Sequence, residues 1–124
     1  MIYDNNYVVA IDFDNTITLN STYKTTGTLN PIAKKIILKL KKMNCILILW
    51  TSREKEDLKE ALNLIKKWKL PFDYINEYPL RGNSRKINVD MYIDDKNPCG
   101  VQWKKAYHII KKTIKRRKRY ENKK

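Results

Sequence analysis

The chain predicts an α/β fold: a single Rossmann-like three-layer domain on a mainly parallel central sheet, with no substantial cap domain. Three observations predict it. Residues 7–11 and 45–50 are charge-free apolar runs rich in β-branched and aliphatic side chains, the pattern of strands buried on both faces. Amphipathic helical stretches alternate with such runs, as βαβ units require. A length of 124 residues gives room for one domain and no more.

The first strand, residues 7–11, ends abruptly in polar chemistry: Asp12, Asp14, Asn15 and Thr16 follow within five positions. Residues 17–30 are polar and Thr-rich, with Gly27 near the end, and read as a short flap or hairpin over the strand end. Asn30 and Pro31 then open a helix, Asn as N-cap and Pro at the first helical position. Ile36, Ile37, Leu40 and Met43 give that helix one apolar face. The second strand, 45–50, ends at Thr51, Ser52 and Arg53. A helix over 54–70 follows, its face made by Leu58, Ala61, Leu62, Ile65 and Trp68. Acids in its first turn and lysines in its last suit the helix dipole, and Pro71 stops it. Residues 72–76 are a weaker strand and 77–83 a loop. Residues 89–93 form the last strand, which ends at Asp94 and Asp95. After a turn at 97–100, Trp103, Ala106, Tyr107, Ile110 and Ile114 line a terminal helix that is expected to dissolve into the basic run 115–119. The organisation predicted is a domain over 1–115 and a basic tail over 116–124.

Net charge is +14 and uneven: residues 111–124 carry nine Lys/Arg against Glu121, so more than half of the excess lies at the end of the chain. A positive field favours polyanionic partners, nucleic acid among them, although a Lys-, Asn- and Ile-rich composition alone would produce the same excess. No apolar run reaches the roughly 18 to 20 residues of a membrane helix. The start of the chain has no basic-then-apolar leader pattern. Cys45 and Cys99 lack metal-ligand spacing; Cys45 opens an apolar run and reads as a core thiol, and the expected setting is cytoplasmic and reducing.

Two aspartates at i and i+2 on a strand end repel unless a cation or a shared proton relieves them, although an Asx-rich turn would use the same residues. In an open α/β sheet the ends of the strands lie side by side. Asp12, Asp14, Thr51, Asp94 and Asp95 are therefore expected to converge on one crevice, and four carboxylates there call for a cation. All-oxygen ligation suits Mg²⁺.

Asp12-Phe13-Asp14-Asn15-Thr16 resembles the first motif, DxDxT, of the haloacid dehalogenase superfamily of phosphotransferases. The common form has Gly at the position of Asn15, and Asn is among the residues that tolerate the left-handed region. The resemblance continues in order. Thr51 ends an apolar strand like the second motif, Lys86 (with Arg85 as substitute) precedes the last strand like the third, and Asp94-Asp95 follows it like the fourth. It implies a phosphatase in which Asp12 attacks phosphorus to form an aspartyl-phosphate and Asp14 is the general acid and base. Members without that second acid are dehalogenases or phosphonatases. It further implies Mg²⁺ held by the Asp12 carboxylate, the Asp14 backbone carbonyl and an acid of the pair, Asp94 in preference to Asp95. Thr51 and Lys86 would hold the transferring phosphoryl oxygens. Arg53 has two readings: a surface residue at a helix start, or a second phosphate contact, because Thr51-Ser52-Arg53-Glu54 is similar to a segment of polynucleotide 3′-phosphatases. His108 reads as structural or solvated.

The gaps 17–30 and 77–84 are too short for a cap domain, so the site is expected to be open. A large substrate or a neighbouring subunit must then exclude water from it. The small capless hydrolases of the superfamily share the pattern around Ile48-Leu49-Trp50-Thr51 and Ile93-Asp94-Asp95-Lys96-Asn97, with Cys99 here in place of a glycine. The substrate expected is a phosphorylated nucleic-acid end or a small phosphate ester or nucleotide. The competing class is a non-catalytic, basic nucleic-acid-binding protein on the same scaffold.

Overall fold

The structure, a computed structural model, describes residues 6–82 and 87–122. Its centre is β1 (Val8–Asp12), whose Val8, Val9, Ala10 and Ile11 are all but inaccessible to solvent. β1 pairs in parallel with β4 (Ile46–Trp50) on one side and with β6 (Met91–Ile93) on the other, and β5 (Tyr74–Ile75) pairs in parallel outside β4. The order is β5-β4-β1-β6. A strand flanked by neighbours and covered on both faces has no position for a polar side chain, which is why residues 8–11 are all apolar.

Alternate residues of the strands serve different layers. Val9, Ile11, Leu47 and Leu49 form one core with α1 (Pro31–Lys42), α2 (Lys55–Lys67) and α3 (Trp103–Asn122). Val8, Ala10 and Ile48 form a second core, on the other face, with Tyr78 and Ile87. The third layer is thus the connection from β5 to β6, whose described residues carry a 3-10 turn (Pro79–Arg81) and no α-helix. Topology explains this. The steps from β1 to β4 and from β4 to β5 go in the same direction, so their crossover helices fall on one face. The return from β5 to β6, at the opposite edge, runs over the other. α3 then comes back beside α1.

The elements stand where the periodicity predicts them, with shorter strands at both edges. Residues 72–76 yield only two strand residues, and 89–93 only three. In each case an aspartate just ahead of the strand takes the place of a ladder carbonyl. The Asp73 carboxylate accepts the Leu47 N–H (2.9 Å), and the Asp90 carboxylate accepts the Val8 N–H (2.7 Å). Both carboxylates are paired, Asp73 with Lys41 (2.6 Å) and Asp90 with Arg81 and Arg117 (3.2 Å each).

The expectation that the last helix dissolves at about residue 115 is corrected: α3 runs without a break to Asn122. Lys and Arg are good helix formers, and cations suit a helix C-terminus. Arg117 also ties the end of the helix down, through Asp90 and over the Tyr7 ring (5.1 Å). The flap is a hairpin as expected, β2 (Thr18–Leu19) against β3 (Thr28–Leu29), antiparallel. Gly27 at its return has φ +83, and a Cβ there would collide with the Leu19 carbonyl. Cys45 is buried, as expected, and burial pushes its thiol up to about 11; Cys99 is exposed. Among the described residues no helix is long and apolar enough to cross a membrane.

Asp90→Ala should therefore cost about 2–4 kcal/mol in urea denaturation, because it leaves the Val8 N–H without its acceptor and removes the carboxylate that pairs with Arg81 and Arg117. Arg117→Ala, at a half-exposed ion pair, should cost no more than about 1 kcal/mol. A loss below about 0.5 kcal/mol for Asp90→Ala would show that its carboxylate does not hold the edge of the sheet.

Candidate functional site

The chain steps from β1 to β4 and β5 on one side and reaches β6 on the other, so the strand order reverses at β1. A crevice opens at the carboxyl ends of strands at such a point. Asp12, the last residue of β1, meets Asp94 and Asp95 there, just beyond β6. One carboxylate oxygen from each lies within 4.8 Å of the others, and all three side chains are half-buried. Burial first, then the charge of Asp94 and, less strongly, that of Asp95, push the Asp12 carboxyl up to about 7. A hydrogen bond donated by Thr16 Oγ1 (3.1 Å) opposes the rise. Three hard oxygen donors crowded together fit a small divalent cation such as Mg²⁺.

A tight loop holds Asp12 in place. The Phe13 carbonyl accepts the N–H groups of Ile17 (3.0 Å) and Thr18 (3.2 Å), and the Trp103 indole N–H of α3 donates to the buried Thr16 carbonyl (3.1 Å). Asn15 has φ 57, the left-handed conformation for which Asn was expected to substitute for Gly. It also does what glycine could not. Its side-chain oxygen accepts the Ser21 N–H (2.8 Å) and its amide donates to the Ser21 carbonyl (3.1 Å), joining the loop to the flap.

Asp14 corrects the expectation of four carboxylates in one cluster. Its side chain is outside the trio and is held by Arg53 through two hydrogen bonds, from Nε (2.8 Å) and from Nη2 (2.7 Å). Ser21 Oγ adds a third (2.7 Å). The Arg53 bonds above all, with Ser21 assisting, hold this carboxyl below the usual carboxylate range, although burial pulls the other way. Arg53 lies over the Phe13 ring (5.0 Å), donates to the Asp57 carbonyl (3.2 Å) and pairs with Glu60 (3.7 Å). With 14% of its side chain exposed, it is no surface residue, and its guanidinium is engaged with Asp14. Asp14, Ser21, Arg53 and Glu60 line a cleft of about 510 Å³ under the flap. At the flap tip Tyr23 is 94% exposed.

Thr51 follows β4 directly, one residue beyond Trp50, which is in register with Asp12. Its N–H donates to Asn76 Oδ1 (2.8 Å), and its hydroxyl accepts the Arg53 N–H (3.2 Å). Asn76, left-handed at φ 55, donates its own N–H to the Leu49 carbonyl (2.8 Å) and so sets the loop after β4. Sequence reasoning missed Asn76, Ser21 and Trp103 as supports of the site. The one trace of Asn76 was a turn former at the end of a weak strand. Lys86 and its substitute Arg85 lie outside the described residues. His108 is exposed on α3 beside Tyr107, in keeping with a solvated role.

No family model matches the chain, and no curated protein does. Among solved structures, that of the conserved protein coded by a locus from Bacteroides thetaiotaomicron superposes with a TM-score of 0.77. It is 36% identical, over 88% of this chain and 93% of the other. Likeness at that identity over nearly the whole of both chains goes beyond a shared fold: the chain belongs to the family of this conserved Bacteroides thetaiotaomicron protein.

Proposed function

We propose that the protein is a Mg²⁺-dependent phosphomonoester hydrolase of the haloacid dehalogenase type, working through an aspartyl-phosphate on Asp12. The observation that carries this reading is the trio Asp12, Asp94 and Asp95, drawn within 4.8 Å at the carboxyl end of the central strand. A non-catalytic basic binding protein gives no reason to gather acids there. The order of the other motif residues along the chain supports the same reading.

In this reading an Asp12 oxygen attacks phosphorus in line, the O–P bond to the substrate forms, and the bond to the leaving oxygen breaks. Asp14 protonates that oxygen and then takes a proton from the water that releases phosphate from Asp12. The clamp on Asp14 bears on both halves. As held by Arg53, the carboxylate is ready to act as base. To act as acid it must first take up a proton and loosen from Arg53. Thr51 and Lys86 hold phosphoryl oxygens, where charge develops. Asp12, Asp94 and Asp95 would hold Mg²⁺, which would supply positive charge to keep Asp12 ionised and offset that of the phosphate.

Without metal, the crowding should appear as a stability cost. Asp12 has a folded-state pKa raised from 3.8 to about 7, so its contribution is intact at acid pH and is lost as pH rises through that window. Asp12→Asn removes the loss. In EDTA at pH 8 the variant should melt roughly 5 °C above the wild type, and the gain should fade towards pH 4. An unchanged or lower melting temperature at pH 8 would mean that the trio is not under electrostatic strain.

With a generic aryl phosphate, turnover should require Mg²⁺, vanish with a chelator and return on re-addition. Asp12→Asn should lower kcat by at least about 1,000-fold while the protein stays folded. Retention of more than a few per cent of turnover would rule out Asp12 as nucleophile. Asp94→Ala should raise the Mg²⁺ requirement more than Asp95→Ala does, since the Asp94 charge acts more strongly on Asp12. The reverse order in a Mg²⁺ titration would transfer the ligand role to Asp95.

A further inference from the structure

α3 carries nine Lys/Arg and one acid, Glu121, and their placement on the helix is not random. At 100° per residue, Lys104, Lys111, Lys115 and Lys118 fall in one row, and Lys105, Lys112, Arg116 and Arg119 in the next, together covering roughly 160° of the circumference. All of these side chains are exposed, and among the described residues none has a carboxylate partner. The opposite side of the helix, with Trp103, Ala106 and Ile110, is in the core. Twenty residues make this cationic face about 30 Å long.

The face also has a direction. At its start, Trp103 donates to the Thr16 carbonyl, and the Thr16 hydroxyl donates to Asp12. At its far end Arg117 reaches Asp90, which accepts the N–H of Val8, the first residue of β1. The row therefore begins beside the Asp12 loop and runs the depth of the sheet away from it.

A lipid surface would need apolar side chains next to the cations. Those of α3 are largely in the core, and Ile109, 43% exposed, and Tyr120, 66% exposed, are the large apolar side chains left on its outer side, at one margin of the cationic face. An acidic protein partner would be met by a face mixing apolar and hydrogen-bonding groups. A face of cations, interrupted between Lys105 and Lys111, matches a row of phosphates, which on one strand recur about every 3.4 Å of rise, so the face spans roughly nine. We propose that the outer face of α3 is a backbone-binding track for a nucleic-acid strand, and that it brings the phosphorylated end of that strand to Asp12. The second half rests on the phosphatase reading; the first does not.

The test uses the full chain and a fluorescein-labelled 20-nucleotide single-stranded DNA with a 3′-phosphate. Binding is followed by fluorescence anisotropy in EDTA, where no turnover occurs. One variant carries Lys112→Gln, Lys115→Gln, Arg116→Gln and Arg119→Gln. A second, with the same net charge, carries Lys35→Gln, Lys42→Gln, Lys66→Gln and Lys67→Gln on α1 and α2. Circular dichroism checks that each is folded. The α3 variant should bind at least about 10-fold more weakly at 0.1 M salt, with the slope of log K against log salt reduced by about 2–3, and the control less than about 3-fold more weakly. Equal weakening of both variants, or none in the α3 variant, overturns the track, as does tighter binding of the wild type to phosphatidylserine vesicles than to the strand. With Mg²⁺, the α3 variant should keep the wild-type kcat and KM for an aryl phosphate while its KM for release of the 3′-phosphate rises at least 10-fold. An unchanged KM overturns the delivery of the end to Asp12. Failure of the wild type to hydrolyse any phosphate ester, with strand binding intact, overturns the delivery and the phosphatase reading and leaves the track standing.

Discussion

Everything in the site depends on how β1 is buried. A parallel strand held between two neighbours and covered on both faces can end only where those neighbours end, and the first polar residue it reaches is Asp12. β6 stops at nearly the same level, so Asp94 and Asp95 arrive beside it. The trio is unfavourable in isolation, as the raised pKa of Asp12 shows, and is held together by the apolar packing behind it. Such a site is stored at the expense of the core and is relieved only by positive charge or a proton.

At the opposite end of the sheet, carboxylates do the reverse. Asp73 and Asp90 accept the first N–H groups of the central strands and are neutralised by lysine or arginine, so they hold the edges rather than strain them. The same residue type is thus a clamp at one end of the strands and a reactive cluster at the other. The difference is how closely cations from the chain hold them: among the described residues the cluster has one ion pair, the looser Asp95–Lys96 contact (3.7 Å), whereas Asp73 and Asp90 are held by Lys41, Arg81 and, from the basic α3, Arg117.

Much of this was legible in the sequence, for a physical reason: a run such as 7–11 or 45–50, with no charge and no turn former, has few places to go except the middle of a parallel sheet. The strand ends, the N-cap at Asn30 and the hairpin closed by Gly27 follow from local chemistry in the same way. What local chemistry does not carry is pairing between distant side chains. Asp14 and Arg53 are 39 positions apart, and nothing in either segment says that one will hold the other. Asn76 supports Thr51 across 25 positions, from a strand too short to stand out. The end of α3 was missed for a related reason. A run of like charges reads as a repelling tail until Asp90 and the Tyr7 ring, both far off in sequence, are placed under Arg117.

The separation of Asp12 from Asp14 is the last consequence of that long-range pairing. Two carboxylates two residues apart would share one environment if the chain stayed extended. The strand ends at Asp12, so Asp14 lies in the loop beyond it, where Arg53 and Ser21 hold its side chain. Asp12 then faces two other acids and is pushed up, while Asp14 faces a guanidinium and a hydroxyl and is pushed down. Groups of the same type whose affinities for protons are driven apart can divide the labour of one reaction. The crowded Asp12 gains most from meeting positive charge. The clamped Asp14 is kept ionised. Arg53 sets the difference between the two, and it does so from the short loop between β4 and α2, two residues after Thr51.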